Sequence, residues 1–223
     1  MPLSYWAWTS LMRSYLLLLS RWRVVGQENV PRKGPLIIAA NHFSFIDPPL
    51  ISASVPRRIA FLAKQELFRF LPLRLMVRSF GAIAVRRGRS SRHALERSER
   101  ILAQGKALGI FPENRRNRQG QLQHPQRGVA LLALRNSAPI LPIAITGSEK
   151  VQSFWDIFRR PTITVTIGHP FYLQPNMEET DSDLQAQAEV VMEHIAQLLP
   201  EIYRGPFGKA SPLATPASAL KEM

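Results

Sequence analysis

Cysteine is absent from the 223-residue chain, and acidic residues are scarce. Without cysteine there is no disulfide scaffold, no thiolate nucleophile and no Cys-based zinc or iron–sulfur site. The chain also lacks an uninterrupted run of about 18 apolar residues, so no strong membrane-spanning helix is predicted. Hydrophobic residues still make up 45% and charged residues 20%, which excludes a largely disordered protein. We therefore expect one folded domain with short extensions.

Positive charge dominates, and it is concentrated in the middle of the chain. Lys and Arg number 29 against 16 Asp and Glu, which gives a net charge of +13. Residues 57–127 contain 17 of the basic residues and four of the acidic ones, so this segment accounts for the whole net charge. Such a region is typical of proteins that bind nucleic acid, an anionic membrane or a phosphorylated metabolite. Composition alone does not choose among these partners.

Residues 1–21 form the most apolar segment, which is interrupted by Arg13. Its aromatic residues lie near the start and a leucine block, Leu16–Leu19, lies near the end. This pattern predicts an amphipathic helix that associates with a membrane interface. The alternative is a helix that packs on the protein's own core. A cleaved signal peptide is disfavoured, because no small-residue cleavage site follows and the sequence continues into Arg21-Trp22-Arg23.

The rest of the chain alternates between strand and helix patterns. Strands are predicted at Leu36–Ala40, Arg58–Ala63, Ala82–Val85, Ala107–Phe111, Ile140–Thr146 and Thr162–Ile167, and helices at Ser91–Gln104, Gly128–Arg135 and Asp181–Leu199. This alternation predicts an α/β fold with a mainly parallel central sheet flanked by helices. We assign that domain to residues 22–203. Residues 204–223, rich in Pro, Ala and Ser, are predicted to be a flexible tail.

Polar residues follow three of the predicted strands. His42 and Asp47 come after the first, Arg86-Arg87 after the third, and Glu113 with several arginines after the fourth. In open α/β sheets, ligands bind beyond the carboxyl ends of the strands. These side chains therefore suggest a site with one base and several anion receptors.

His42 and Asp47 are five residues apart, so they would not share one face of a helix. A turn at the strand end could bring them into contact. A carboxylate bonded to one imidazole nitrogen fixes the tautomer and leaves the other nitrogen free to take a proton. Alternatively, Asp47 before Pro48 caps a helix and His42 merely bonds the backbone. Spacing alone leaves both interpretations open.

Several sequence blocks resemble the signatures of the glycerolipid acyltransferase family. The matches are Asn41–Pro48 to N-H-x-S-x-x-D-P, Gly81–Arg87 to the second signature, Phe111–Asn117 to F-P-E-G-T-R-S, Ile140–Ala144 to the apolar fourth signature, and Lys64–Leu67 to K-x-E-L. Their order and spacing agree across roughly residues 22–170. One H-x-x-x-x-D pattern is weak evidence, whereas four blocks in order are specific.

The resemblance implies acyl transfer from acyl-CoA or acyl-acyl carrier protein to the hydroxyl of 1-acyl-glycerol-3-phosphate, giving phosphatidic acid. His42 would be the base and Asp47 would orient it, with no acyl-enzyme, no metal and no cofactor. Arg87, Glu113 and Arg116 would line the acceptor pocket, with the arginines on its phosphate. Alternatively, Arg87 lies on a solvated face and Glu113 is an ion-pair partner that positions Arg116.

Four further residues are predicted to support the site: Asn41, Ser44, Arg86 and Arg115. Asn41 and Ser44 would shape the turn around His42. Asn114-Arg115 stands where Gly-Thr is usual, and Asn117 where Ser is usual. Asn tolerates the left-handed backbone that Gly supplies, so the turn can survive. Arg86 stands where many members carry Asp, which suggests a more anionic headgroup or stronger membrane docking.

The resemblance therefore implies a peripheral or monotopic membrane enzyme on the cytoplasmic face. Its expected partners are a lysophospholipid, an acyl donor and an anionic membrane surface, with no nucleic acid. One alternative is an enzyme for the acylation or remodelling of another lysophospholipid or glycerol-3-phosphate. A basic nucleic-acid-binding protein is disfavoured, because the arginines are not interleaved with aromatic residues. A non-catalytic lipid-binding relative is disfavoured because His42 and Asp47 are both present.

Overall fold

The computed structural model describes residues 3–64, 74, 82–85, 91–174 and 180–208. The strands are β1 (Arg21–Val25), β2 (Leu36–Ala40), β3 (Ile59–Lys64), β4 (Ile83–Val85), β5 (Ala107–Ile110), β6 (Ile140–Thr146) and β7 (Thr162–Ile167). The helices described are α1 (Leu3–Leu19), α2 (Asp47–Ser54), α3 (Ser91–Ala103), α4 (Gly128–Arg135) and α5 (Asp181–Gln197). Short 3₁₀ turns occur at Gln27–Asn29, Ser148–Lys150, Phe154–Arg159, Glu201–Tyr203 and Gly205–Phe207.

The described strands form one sheet in the order β1-β7-β6-β2-β5-β3-β4. The strands from β6 to β4 in that order are parallel. β7 is antiparallel to β6, and β1 is parallel to β7. The predicted α/β fold with a mainly parallel central sheet is therefore confirmed.

Both faces of the sheet are covered by helices, as the sequence of β2 illustrates. All five of its residues are apolar and buried. Ile37 and Ala39 pack with apolar residues of α3, α4 and α5, whereas Ile38 and Ala40 pack with those of α1 and α2. Successive side chains of a strand point to opposite faces, so a continuous apolar run is what a central strand between two helix layers requires.

Helix α1 has two different faces. On the inner face Tyr5 and Leu16 are buried, and the Tyr5 hydroxyl accepts a hydrogen bond from Ile59 N–H at 3.2 Å. Arg13 Nε donates to Ala53 O of α2 at 2.7 Å. The outer face exposes Trp6, Leu11, Leu17 and Leu18, which are 45–71% accessible. Among the helices described, none is long and apolar enough to cross a membrane.

The predicted strands and helices are present with ends shifted by at most two residues. β1 was not predicted, and α2 was raised only in the alternative in which Asp47 caps a helix. β1 lies at the sheet edge, where Trp22 and Val24 point inward and Arg21, Arg23 and Val25 outward. α2 begins with Asp47-Pro48-Pro49, which tolerates proline because first-turn N–H groups have no intrahelical partner.

The prediction that the flexible tail begins at residue 204 is wrong. Gly205–Phe207 forms a 3₁₀ turn, and the side chain of Phe207 is buried against the α3–α5 side of the core. An apolar side chain inside this Pro- and Gly-containing segment holds it to the domain. Residues 209–223 lie outside the described residues, so a tail there stays a prediction, as does the domain assigned to residues 22–203.

Candidate functional site

The carboxyl ends of β6, β2 and β5 lie side by side in the sheet. Asn41 and His42 follow β2 directly, and the segment Phe111–Asn117 follows β5. Parallel strands end at the same edge, so these two polar segments meet there. We call this end of the sheet, where the carboxyl ends of β6, β2 and β5 lie, the active edge.

His42 and Asp47 are in contact, as predicted. His42 Nδ1 lies 2.9 Å from Asp47 Oδ2. The same oxygen accepts hydrogen bonds from the N–H groups of Phe43 and Ser44, each at 2.7 Å. Asp47 is fully buried, whereas the side chain of His42 is 16% exposed. The carboxylate thus organises the turn and fixes Nδ1, which leaves Nε2 as the nitrogen able to accept a proton.

The helix-cap alternative for Asp47 is wrong. Asp47 is the first residue of α2, and its carboxylate faces back to the preceding turn rather than forward into the helix. The next two residues are prolines, which have no N–H to offer. The N–H of Leu50 donates to Ile46 O at 2.9 Å. Capping therefore does not account for the position of this carboxylate.

An aromatic stack fixes the plane of the His42 ring. The ring stacks on Phe111 with centroids 4.1 Å apart and planes at 19°, and Phe111 stacks on Phe61 at 6.0 Å. Phe61 in turn covers Gly109 in β5, where a Cβ would come within 2.3 Å of the Phe61 ring. Glycine inside this strand therefore admits the stack that supports the histidine.

Glu113 hydrogen-bonds the backbone of the turn. It is 3% exposed, and Oε1 accepts the N–H of His42 while Oε2 accepts the N–H of Gln123, both at 3.2 Å. Burial raises the pKa of Glu113 to about 8, against the lowering effect of these two hydrogen bonds. Among the described ion pairs, none joins Glu113 to Arg116, so the ion-pair alternative is wrong.

Asn41 and Ser44 attach the turn to its neighbours. Asn41 Nδ2 donates to Ile145 O at 2.8 Å, and Asn41 Oδ1 accepts from Ile145 N–H at 2.7 Å. The amide thereby extends the pairing of β2 with β6 by one more rung. Ser44 Oγ donates to Val151 O in the loop after β6. These contacts fit the turn-shaping role expected for both residues.

The turn after β5 keeps its shape despite its unusual sequence. Asn114 has φ +57°, the left-handed conformation expected at the position of the usual glycine. Asn117, which sequence reasoning did not select as a site residue, donates its N–H to His42 O at 2.8 Å. Glu113 and Asn117 therefore hold the N–H and C=O of His42 from the same segment. The only sequence signal for Asn117 was its place at the end of the third block.

The two predicted arginines that the structure describes lie on the surface of the turn after β5. Arg115 and Arg116 are exposed, and Arg115 Nε donates to Gln123 Oε1 at 3.0 Å. Arg86, Arg87 and most of the K-x-E-L block lie outside the described residues. An open cleft of about 880 Å³ adjoins Glu113; it is lined by Glu113, Asn114, Arg115, Leu122, Gln123, His124, Gln126 and Pro206. Arg116 stands on the same turn, outside that lining.

The chain is similar to several known proteins. A family model described as "Acyltransferase" matches residues 21–146, which span β1 to β6 and include both polar segments. A 1-acyl-sn-glycerol-3-phosphate acyltransferase from Borreliella burgdorferi is 32% identical over 124 residues, covering 55% of this chain and 50% of that protein. One from Bacillus subtilis is 25% identical over 179 residues, covering 79% and 87%.

A solved structure is also similar. The crystal structure of the 1-acyl-sn-glycerophosphate (LPA) acyltransferase PlsC from Thermotoga maritima has a TM-score of 0.63 and 26% sequence identity, covering 84% of this chain and 74% of that one. The chain spans only half the length of the Borreliella relative. The fold is therefore shared with a solved 1-acyl-sn-glycerophosphate acyltransferase, and the matched family model covers both polar segments.

Proposed function

The chain belongs to the acyltransferase family, and we propose that it acylates the free hydroxyl of 1-acyl-glycerol-3-phosphate to give phosphatidic acid. The observation that carries the proposal is the contact between His42 and the buried carboxylate of Asp47 at the active edge. The relatives described above are named for this activity and support the choice of acceptor.

The proposed step is direct transfer. The acceptor oxygen attacks the thioester carbonyl carbon while His42 Nε2 takes its proton. A carbon–oxygen bond forms, the carbon–sulfur bond breaks, and the thiol departs with a proton returned from His42. Asp47 keeps the Nδ1 proton in place and stabilises the imidazolium. General-base assistance of this kind contributes roughly 10²–10⁴-fold in rate. The chain has no cysteine, in keeping with a mechanism that needs no thiol acyl-enzyme.

The acceptor phosphate is assigned to arginines. Arg116, two residues beyond the left-handed Asn114, projects from the turn whose other residues hold the His42 peptide. We assign Arg87 the same phosphate-binding role, and Arg86 and Arg115 supporting roles. Arginine forks suit phosphate oxygens. Glu113 lines the adjoining cleft. Its carboxyl group also positions the backbone of His42 by accepting the His42 N–H. The acyl donor is acyl-CoA or acyl-acyl carrier protein.

We also assign the chain to the cytoplasmic membrane surface, with the outer face of α1 as its anchor. That face exposes Trp6, Leu11, Leu17 and Leu18. The one charged side chain of α1, Arg13, bonds instead to Ala53 O of α2. Deleting residues 1–20 would remove Tyr5 and Leu16 from the core. The cleaner test is Leu17→Ser with Leu18→Ser, which should move protein from membranes to the soluble fraction. Unchanged partitioning would place the anchor elsewhere.

An acceptor comparison tests the proposed reaction. Thiol release from oleoyl-CoA and from oleoyl-acyl carrier protein would be followed with purified protein in detergent. The acceptors are lysophosphatidic acid, lysophosphatidylcholine and glycerol-3-phosphate. The proposal expects release with lysophosphatidic acid. Release with another acceptor alone would keep the mechanism and change the substrate, and no release with any pair would refute acyl transfer.

A further inference from the structure

Two aromatic side chains project from the protein beside the site and take no part in it. Trp155 is 74% exposed and Phe158 is 54% exposed, and their rings stack with centroids 6.0 Å apart. Both belong to the 3₁₀ turn Phe154–Arg159. Residues three apart in a 3₁₀ helix point the same way, so the two rings face outward together.

The turn that carries them is held in place. Ile157 is 1% exposed and packs in the same cluster as Leu16 of α1. Asp156 Oδ2 accepts hydrogen bonds from Ser153 N–H at 2.7 Å and Gln152 N–H at 3.0 Å. The aromatic pair is therefore presented on a fixed platform, on the same side of the sheet as α1.

Topology places this platform at the active edge. The segment from Gly147 to Pro161 joins the carboxyl end of β6 to β7, and Ser44 beside His42 bonds to Val151 within it. The N–H of Arg21 donates to Pro161 O at 3.0 Å, which brings the last turn of α1 to the same edge. Leu17 and Leu18, 63% and 71% exposed, lie in that last turn.

Positive charge adjoins the aromatic pair. Arg159, whose side chain is 84% exposed, and Arg160 are both at the surface. Asp156 accepts the N–H groups of Ser153 and Gln152 through Oδ2, and its Oδ1 lies 3.6 Å from Arg159 Nη1, so the charge of Arg159 is partly balanced. We define the docking edge as Trp155, Phe158, Arg159 and Arg160, on the same edge as Leu17 and Leu18 of the α1 anchor.

We infer that the docking edge is a second membrane contact, which seats the active edge on an anionic lipid leaflet. Trp and Phe rings are favoured at the boundary between acyl chains and headgroups, and arginines are attracted to anionic headgroups. An acidic carrier protein would use the arginines but would leave the exposed rings of Trp155 and Phe158 without a role, so the bilayer fits better. The inference rests on the proposed function, because a lipid acceptor would have to reach His42 from that leaflet.

Vesicle sedimentation in the absence of substrates tests the inference. Vesicles of phosphatidylcholine, with and without phosphatidylglycerol, are mixed with the full chain. Trp155→Ala with Phe158→Ala should weaken partitioning at least about tenfold on both kinds of vesicle. Arg159→Gln with Arg160→Gln should weaken it by about tenfold only where phosphatidylglycerol is present. The matched control is Val25→Ala with Tyr172→Ala, two exposed apolar residues away from the docking edge, which should stay within about twofold.

Unchanged partitioning of the Trp155/Phe158 variant, or an equal loss in the control, would overturn the inference. Loss of acyl carrier protein binding with vesicle binding intact would assign the surface to a protein partner instead. Because no substrate is present, failure of acyl transfer is scored separately. A chain that binds vesicles through the docking edge yet transfers no acyl group would refute the proposed function and leave this inference standing.

Discussion

Replacing Glu113 by glutamine should change how the stability of the protein depends on pH. The carboxyl group is buried, and its pKa is raised to about 8 from 4.5. Between these values the folded protein holds a proton that the unfolded chain has released. The free energy of unfolding therefore falls as pH rises through this window, by about 1.4 kcal/mol per pH unit. Between about pH 5.5 and pH 7.5 this contribution amounts to roughly 2–3 kcal/mol.

Glutamine keeps the size of the side chain but cannot titrate. Its NH₂ group would face one of the two backbone N–H donors, of His42 or Gln123, so the variant should lose about 1–3 kcal/mol of stability at low pH. The wild type loses stability as pH rises, whereas the variant does not lose stability through residue 113. The difference in unfolding free energy between the two proteins should therefore narrow toward pH 8.

Urea unfolding followed by tryptophan fluorescence, at matched ionic strength from pH 5 to 8, measures both slopes. Glu99→Gln, which changes a partly exposed carboxylate on α3 whose ion-pair partner is Arg135, is the matched control and should leave the wild-type slope unchanged. Parallel slopes for Glu113→Gln and the wild type would refute the argument, and so would a gap that widens with pH.

Three further predictions concern the site and its supports. Asp47→Asn should lower the turnover number by about 10²-fold or more, with circular dichroism unchanged, because the imidazolium loses its counter-charge; a lower melting temperature with normal turnover would make Asp47 purely structural. Asn41→Ala removes both hydrogen bonds to Ile145, so the free energy of unfolding in urea should fall by about 2–3 kcal/mol. A fall of less than about 0.5 kcal/mol would contradict the pairing described. Arg116→Ala should raise the apparent KM for the phosphorylated acceptor about tenfold and leave that for the acyl donor unchanged; an unchanged acceptor KM would remove Arg116 from the phosphate site.

Long apolar runs made most of the fold predictable. β2, β6 and α4 are apolar runs, whereas β7 alternates threonine with Ile and Val. All four have the predicted bounds, because each is flanked by a polar residue, a glycine or a proline. β1 was missed because five residues of alternating pattern directly follow an apolar helix. α2 was raised only in the alternative in which Asp47 caps a helix, because two prolines open it and almost every residue is buried, so no polar face marks a helical period.

The site was predictable only where local order defines it. The contact of His42 with Asp47 spans five residues and depends on one turn. The bonds from His42 to Glu113 and Asn117 join backbone atoms to residues more than 70 positions away. Residue type does not predict such a long-range hydrogen bond. Glu113 was therefore expected to face the acceptor, and Asn117 was not selected as a site residue. The exposed pair Trp155 and Phe158 was missed because its proposed membrane contact depends on which side of the sheet the two rings occupy.

The central claim is that His42 is the base of an acyl transfer reaction. Its most direct test is thiol release from oleoyl-CoA, and from oleoyl-acyl carrier protein, with lysophosphatidic acid as acceptor. The wild type, His42→Ala and the control His93→Ala would be compared; His93 is an exposed histidine on α3. We expect acceptor-dependent release by the wild type and by His93→Ala, and a loss of at least about 10²-fold in His42→Ala with the fold intact. Normal release by His42→Ala would contradict the account.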